Sequence, residues 1–173
     1  MGLWEWDIAT DHVTWSSHLY ETFGYTATTF EPTNAGFLAI IHPDDRQKLE
    51  LMIQLAFKSS CVNHEVEFRV IRGDNGRTVW SHSRGTVRRN VAGQPTAVLS
   101  VVVDVTERKQ RELTLSFLAD LHSSLTLLSS AEAIIGKASQ RVSEYLQLSH
   151  LMVIMMDEHA TQATVEFDHC ADG

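Results

Sequence analysis

Cysteine is scarce in this chain. Cys61 and Cys170 are the only two in 173 residues, and they form no CxxC pair. A framework of disulfides or a cysteine-built zinc ribbon is therefore excluded, and a reducing, cytosolic setting is the expectation. Long apolar runs are missing as well. The longest, residues 97–103 (interrupted by Ser100) and 151–156, fall far short of the roughly 20 residues that span a bilayer. At the start, Trp4-Glu5-Trp6-Asp7 puts acids where a signal peptide needs an apolar stretch. Positive charge is thin, with 14 Lys and Arg against 22 Asp and Glu and a net charge of −8. The densest basic pairs are Arg88-Arg89 and Arg108-Lys109, so an affinity for nucleic acid has no electrostatic footprint. The chain has no Gly-rich phosphate loop, no GxSxG elbow and no HExxH or HxH spacing among its nine histidines.

What is present is a core. Hydrophobic residues make up 43% of the chain and charged residues 21%, the mix of a folded domain. The first six or seven residues alternate, Leu3-Trp4-Glu5-Trp6-Asp7-Ile8, as a half-buried strand does. Ala9-Thr10-Asp11 turns the chain into a second short strand, His12-Val13-Thr14-Trp15, which predicts a hairpin. Ser16 or Ser17 then caps a short helix carrying Leu19, Tyr20 and Phe23, and Gly24 ends it. Residues 25–36 hold Thr, Pro, Asn and Gly and read as loop with at most one helical turn.

After Phe37-Leu38-Ala39-Ile40-Ile41 comes His42-Pro43-Asp44-Asp45. Proline suits the first helical position, and the two aspartates complement the positive end of a helix dipole. The helix they open carries one apolar stripe, Leu49, Met52, Ile53, Ala56 and Phe57. Three long strands follow. Residues 62–71 alternate, with Val66, Phe68 and Val70 on one side and Glu65, Glu67 and Arg69 on the other. Gly73-Asp74-Asn75-Gly76 is a hairpin turn, and counting from it places His82 near Glu67. Residues 78–88 return, Asn90 to Pro95 turn again, and residues 96–105 are so continuously apolar that burial on both faces is expected. Thr106 caps a further helix, on which Leu118, Leu121, Leu125 and Leu128 recur at 3-4-3 spacing with Leu113 and Phe117 upstream, about two heptads. A helix through Ala133, Ile134, Ala138, Val142 and Leu146 then precedes an apolar strand at 151–156 and another at 163–167. Both ends read as cut, so the chain is expected to be a piece of a longer protein.

The order strand, strand, short helices, longer helix, three long antiparallel strands and exit helix resembles the PAS domain with its C-terminal PAC motif. The residues that carry the likeness are Gly2 to Asp7, Phe37 to Asp45, Glu67-Phe68-Arg69-Val70 with Gly76, Val79-Trp80 and Gly85, and Asp104-Val105-Thr106-Glu107-Arg108-Lys109. The remainder, and Phe167-Asp168-His169-Cys170-Ala171-Asp172-Gly173 in particular, is similar to the start of a GAF domain in bacterial sensor kinases. The resemblance implies an α+β fold: a five-stranded antiparallel sheet with short helices on one face, a C-terminal signalling helix, and a partial second α/β domain. It divides the chain into a PAS sensor domain at 1–106, a linker helix at 107–129 and a truncated GAF-like start at 130–173. It also implies a sensory module without chemistry of its own, in a sensor histidine kinase or, next, a diguanylate cyclase or phosphodiesterase. The rival reading is a ligand-free interaction scaffold.

Relatives of this kind hold haem or flavin through particular residues. The long helix has no histidine for haem, and no Asn-Cys-Arg helix offers a flavin adduct, so both are disfavoured and the cofactor is unknown. Cys61 reads as an ordinary thiol. The cluster at His42 and Asp44 reads as helix-start chemistry rather than acid–base catalysis, and His64 and His82 are not expected to hold a metal. A small apolar pocket lined by Phe37, Ile41, Phe68, Leu99 and Val101 is expected, open to a small ligand or simply packed shut. Asp104 and Thr106 are the expected relay into the exit helix. Trp4, Trp6, Trp80, Val98 and Val102 are expected on the outer sheet face, forming a homodimer contact together with the linker helix. The other expected partner is an output domain downstream in the same chain; neither nucleic acid nor membrane is expected to meet this segment.

Overall fold

The computed structural model describes residues 1–58, 63–156 and 163–170; for 155, 156 and 163–170 it gives the backbone path alone. Strands β1 (Gly2–Asp7) and β2 (His12–Trp15) pair antiparallel, Trp4 opposite Trp15 and Trp6 opposite Val13. Asp7 shapes the turn between them. Its Oδ1 accepts from the Ala9 and Thr10 backbone N–H groups and from the Thr10 hydroxyl, which holds its carboxyl below the ordinary range.

Helix α1 (Ser17–Phe23) ends at Gly24, whose φ of 72° is the left-handed cap expected of glycine. Ser16 precedes it, but its hydroxyl accepts from the Leu3 N–H at 3.0 Å and so ties the helix start to β1. Helix α2 (Asn34–Ile40) occupies part of the stretch expected to be loop. Thr33 caps it, its Oγ1 accepting from the Gly36 N–H at 3.0 Å. Helix α3 (Pro43–Lys58) begins at the proline, with Asp44 and Asp45 in its first turn.

Strands β3 (Asn63–Ile71), β4 (Thr78–Arg89) and β5 (Pro95–Asp104) complete an antiparallel sheet of order β2-β1-β5-β4-β3. The fold is thus α+β. The first long turn closes with Gly76 at φ 69°, and the register it sets puts Glu67 opposite His82. Residue 62, where β3 was expected to begin, lies outside the described residues, as does Cys61.

One face of the sheet is covered. Leu19 and Phe23 from α1, Ile40 from α2 and Leu49 from α3 cluster with Trp6, Val13, Trp15, Val66, Phe68, Val70, Val87, Val98 and Val102, all buried. Met52, Ile53, Ala56 and Phe57, the rest of the α3 stripe, pack against this core.

This packing corrects the expected sheet faces. Trp6, Val98 and Val102 belong to the interior, whereas Leu99 and Val101 lie on the opposite face. Pairing fixes the phase. Trp6 stands opposite Val98, and Glu5 opposite Leu99. Glu5 and Asp7 keep their charges in water on the outer side, so Trp4 and Trp6 must turn inward. Residues 97–103 contain no charge, so β5 by itself offers no such phase. Burial on both faces is also not found, since Val103 is 39% exposed.

The chain divides into two compact units, Met1–Lys109 and Gln110–Gly173. Helix α4 runs from Thr106 to Leu125, and α5 (Ala131–Leu146) starts at a Ser130 cap that accepts from the Ala133 N–H. In the second unit Phe117 stacks on Tyr145 at 4.0 Å, and strands β6 (His150–Met156) and β7 (Ala163–Cys170) pair antiparallel.

Candidate functional site: an interior cavity and the strand-to-helix junction

The row His64, Gly85, Ser100, Trp4, Trp15 crosses all five strands on the inner face. Gly85 has no side chain to stand between its neighbours. His64 Nε2 therefore reaches over it to Ser100 Oγ at 2.8 Å. A Cβ at Gly85 would sit 2.1 Å from both Leu99 O and Ser100 Oγ, so only glycine fits. Burial pushes the His64 imidazole below its ordinary range, which favours the neutral ring.

Beside this row lies a cavity of about 30 Å³, walled by Trp4, Phe37, Phe68, His64, Ser83 and the α3 stripe. That is room for one or two waters, on the order of 10–15 Å³ each. Trp4 stacks on Phe37 at 5.9 Å, and its Nε1–H is buried with no partner among the described residues. Among the described residues, no three His, Cys, Asp or Glu side chains gather as a metal site.

The second feature is where β5 becomes α4. The Thr106 N–H donates to Asp104 Oδ1 at 2.8 Å, and Thr106 Oγ1 accepts from the Trp80 N–H at 2.9 Å. The Val105 N–H donates to Trp80 O at 2.8 Å. A single residue, Val105, separates strand from helix, and the Trp80 backbone bonds both it and Thr106. Glu67, on the outer side of β3, receives the first turn of the helix: Lys109 Nζ lies 2.6 Å from its Oε2, and Arg108 bonds its Oε1. These two cations hold the Glu67 carboxyl below its ordinary range, Lys109 the more strongly. Arg69 and Lys109 both lie over the Trp80 ring, with centroid distances of 5.4 and 5.6 Å.

Residues 12–102, more than half of the chain, match the family model described as PAS fold. The chain belongs to the PAS fold family. A sensory box histidine kinase/response regulator structure from Burkholderia thailandensis is 30% identical to this PAS domain chain. That comparison covers 72% of the present chain and 91% of the other, with a TM-score of 0.62. The N-terminal domain of a diguanylate cyclase with PAS/PAC sensor from Marinobacter aquaeolei shares the fold at 17% identity, covering 62% and 97%, with a TM-score of 0.56. A methyl sulfide methyltransferase-associated sensor from Methanosarcina acetivorans is 28% identical over 89 residues, 51% of this chain. The chain spans only 9% of that relative's length. The PAS domain is thus a sensory domain by family. No helix among the described residues is long and apolar enough to cross a membrane.

Within this PAS domain the expected site residues separate. Phe37 and Phe68 stand on the cavity wall, and their rings meet edge to face at 5.8 Å. Ile41 is fully buried beside them in the core. Leu99 and Val101 do not reach the cavity. They line an open groove of about 650 Å³ on the outer face, together with Leu3, Glu5, Arg84 and Thr86. Of the five residues expected on that face, Trp80 is there, half-buried under its two cations. Trp4 and Trp6 line the cavity, Val98 lines it with them, and Val102 is in the core. Asp104 and Thr106 meet at the junction.

Glu67, Arg69, Asp45 and Gly85 were not foreseen in these roles. Arg69 donates from its backbone N–H and Nε to Asp45 Oδ2, and from Nη2 to Asp45 Oδ1 and Asp44 Oδ2, at 2.8–3.1 Å. The alternation of β3 gave the signal for an outward Arg69, but its partners lie 24 and 25 residues away. No local spacing encodes such a contact. His42 Nδ1 lies 3.4 Å from Asp44 Oδ2 at the mouth of the same helix.

Proposed function

We propose that this chain is the PAS module of a signal-transduction protein, a sensor histidine kinase, and that α4 carries its signal to domains downstream. The observation that carries this reading is the junction at Trp80, where both strand β4 and the first turn of α4 hang on one residue's backbone. A change in sheet packing has to alter those bonds or carry the helix with it. Asp104 and Thr106 act as the relay, and the exit stretch from Asp104 to Lys109 is the PAC motif. The 30% identity to a chain from a sensory box histidine kinase/response regulator favours a kinase parent over the diguanylate cyclase alternative. The segment after α4, with α5 and the β6–β7 pair, is the beginning of a GAF domain.

The signal is a small molecule taken into the interior cavity, and the module itself performs no chemistry. Dimerisation uses the outer sheet face, now built from Leu3, Leu99 and Val101, together with α4, on which Leu113, Leu115 and Leu118 are more than half exposed. The test is on the full-length protein. Incubation with radiolabelled ATP should give an acid-labile phosphohistidine, and Thr106→Val should change its rate of formation severalfold. Synthesis of cyclic di-GMP from GTP without phosphohistidine would point to the cyclase parent instead.

The small cavity favours a second reading, a ligand-free interaction scaffold. Native mass spectrometry separates the two: a retained small molecule supports the sensor, and bare protein that takes up none of a fragment library supports the scaffold.

A further inference from the structure

The N-terminus of α3 and the first turn of α4 are far apart in sequence, yet the two are joined by an unbroken set of contacts. Asp45 sits in the first turn of α3 and takes three hydrogen bonds from Arg69, and Asp44 takes a fourth. The Arg69 guanidinium lies 5.4 Å over the Trp80 ring. The Lys109 ammonium lies 5.6 Å from the same ring and 2.6 Å from Glu67. Lys48, one turn further along α3, donates from Nζ to the Glu67 carbonyl at 3.2 Å. The Trp80 backbone closes the set by bonding Val105 and Thr106. All these residues belong to the unit Met1–Lys109.

We propose that Arg69 and Trp80 form a lever that couples the seating of α3 to the first turn of α4. Helix α3 forms one wall of the cavity, through Leu49, Met52, Ile53, Ala56 and Phe57, and is the wall that the lever requires to shift. Anything that enlarges the cavity displaces α3 and pulls on Asp44 and Asp45. Arg69 is anchored to both, and a bidentate guanidinium is a stiff connection because its fork is planar and its donors are fixed. Moving Arg69 takes its guanidinium away from the Trp80 ring. The indole then loses one of its two cations and keeps only Lys109, which shares Glu67 with Arg108. The device has two arrangements, ring covered with helix seated, and ring uncovered with helix loosened. Proximity alone does not establish coupling; a shared element that both ends bias does. The lever gives meaning to α4 as the output of the proposed sensor, but it is tested on the helix itself, so it can fail while the sensor reading stands.

The experiment is residue-resolved amide exchange by NMR on the 173-residue chain, comparing Asp45→Asn, Lys109→Met and the double variant. Asp45 and Lys109 lie on different elements, so independent residues would act additively. The lever is expected to make Asp45→Asn accelerate exchange at Val105 and Lys109 about tenfold. In the Lys109→Met background the same change should add less than about twofold. Acceleration confined to α3 and β3, with Val105 and Lys109 unchanged, would overturn the proposal, and so would full additivity. Should Asp45→Asn fail to fold, Arg69→Lys replaces it: it keeps the charge and loses the fork, and the same two amides decide.

Discussion

His64 Nε2 lies 2.8 Å from Ser100 Oγ, and the two are bonded across a strand that contributes nothing but the backbone of Gly85. The absent side chain is what lets a histidine from the edge strand meet a serine two strands away. Gly85→Ala is therefore expected to cost about 3 kcal/mol or more, the upper range for overpacking, because the carbonyl of Leu99 cannot give way as a flexible side chain could. Urea denaturation measures it. A loss under about 1 kcal/mol would mean that the strands are not held this close.

The same histidine makes stability depend on pH. Burial lowers its folded-state pKa, so the unfolded chain takes up a proton first as pH falls. Its contribution is fully present above about pH 6.5 and is lost as pH falls from there toward the lowered folded value. The drop in urea midpoint between pH 7.5 and 5.5 should be smaller in His64→Gln than in the native chain. Equal drops in the two proteins would remove His64 from the account.

Neighbouring residues on β5 should respond in opposite ways. Val98→Asp places a carboxylate among buried groups and is expected to abolish folding or cost at least about 3 kcal/mol. Leu99→Asp projects into water from the outer groove and is expected to cost under about 1 kcal/mol, while lowering the molar mass by light scattering from dimer to monomer. Circular dichroism melts of the two variants check the face assignment, and scattering checks the dimer.

How much of this was legible depended on whether a segment carried polar punctuation. The β3–β4 register could be counted from Gly73 to Gly76, because a tight turn fixes every pair behind it. Helix α3 was legible from Pro43, the two aspartates and a five-residue stripe. Helix α2 was not, since Asn34 and Gly36 are poor helix formers and the helix depends on the Thr33 cap and on packing. The faces of β5 were not, because an uncharged strand carries no phase of its own. The inner face also holds Ser81, Ser83 and Ser100, all buried, so polarity there argues for the wrong side. The junction residues Asp104 and Thr106 were read from their motif, but the acceptor Glu67 lies 41 residues from Arg108, and only the folded sheet brings them together.

Acid should loosen the two carboxylate anchors. Arg69 holds Asp45 below its ordinary range, and Lys109 with Arg108 does the same for Glu67. A depressed folded pKa contributes stability above the unfolded value, near pH 4, and that stability is lost as pH falls below it. Both groups are partly exposed, which limits each contribution to about 1 kcal/mol. Between pH 5 and 2.5 the native chain should lose more stability than Asp45→Asn, measured by thermal melts. A variant with the same acid slope would show that the anchor carries no net energy.

The sharpest test concerns the hydrogen bond from Trp80 to Thr106. Thr106→Val keeps the shape of the side chain and removes the acceptor. NMR amide exchange should then show Trp80 exchanging about tenfold faster, with Val105 following, while Val66 and Val98 in the strand centres keep their protection. If Trp80 were unchanged, or if every strand accelerated together, α4 would not be seated through this residue and the account of the junction would be contradicted.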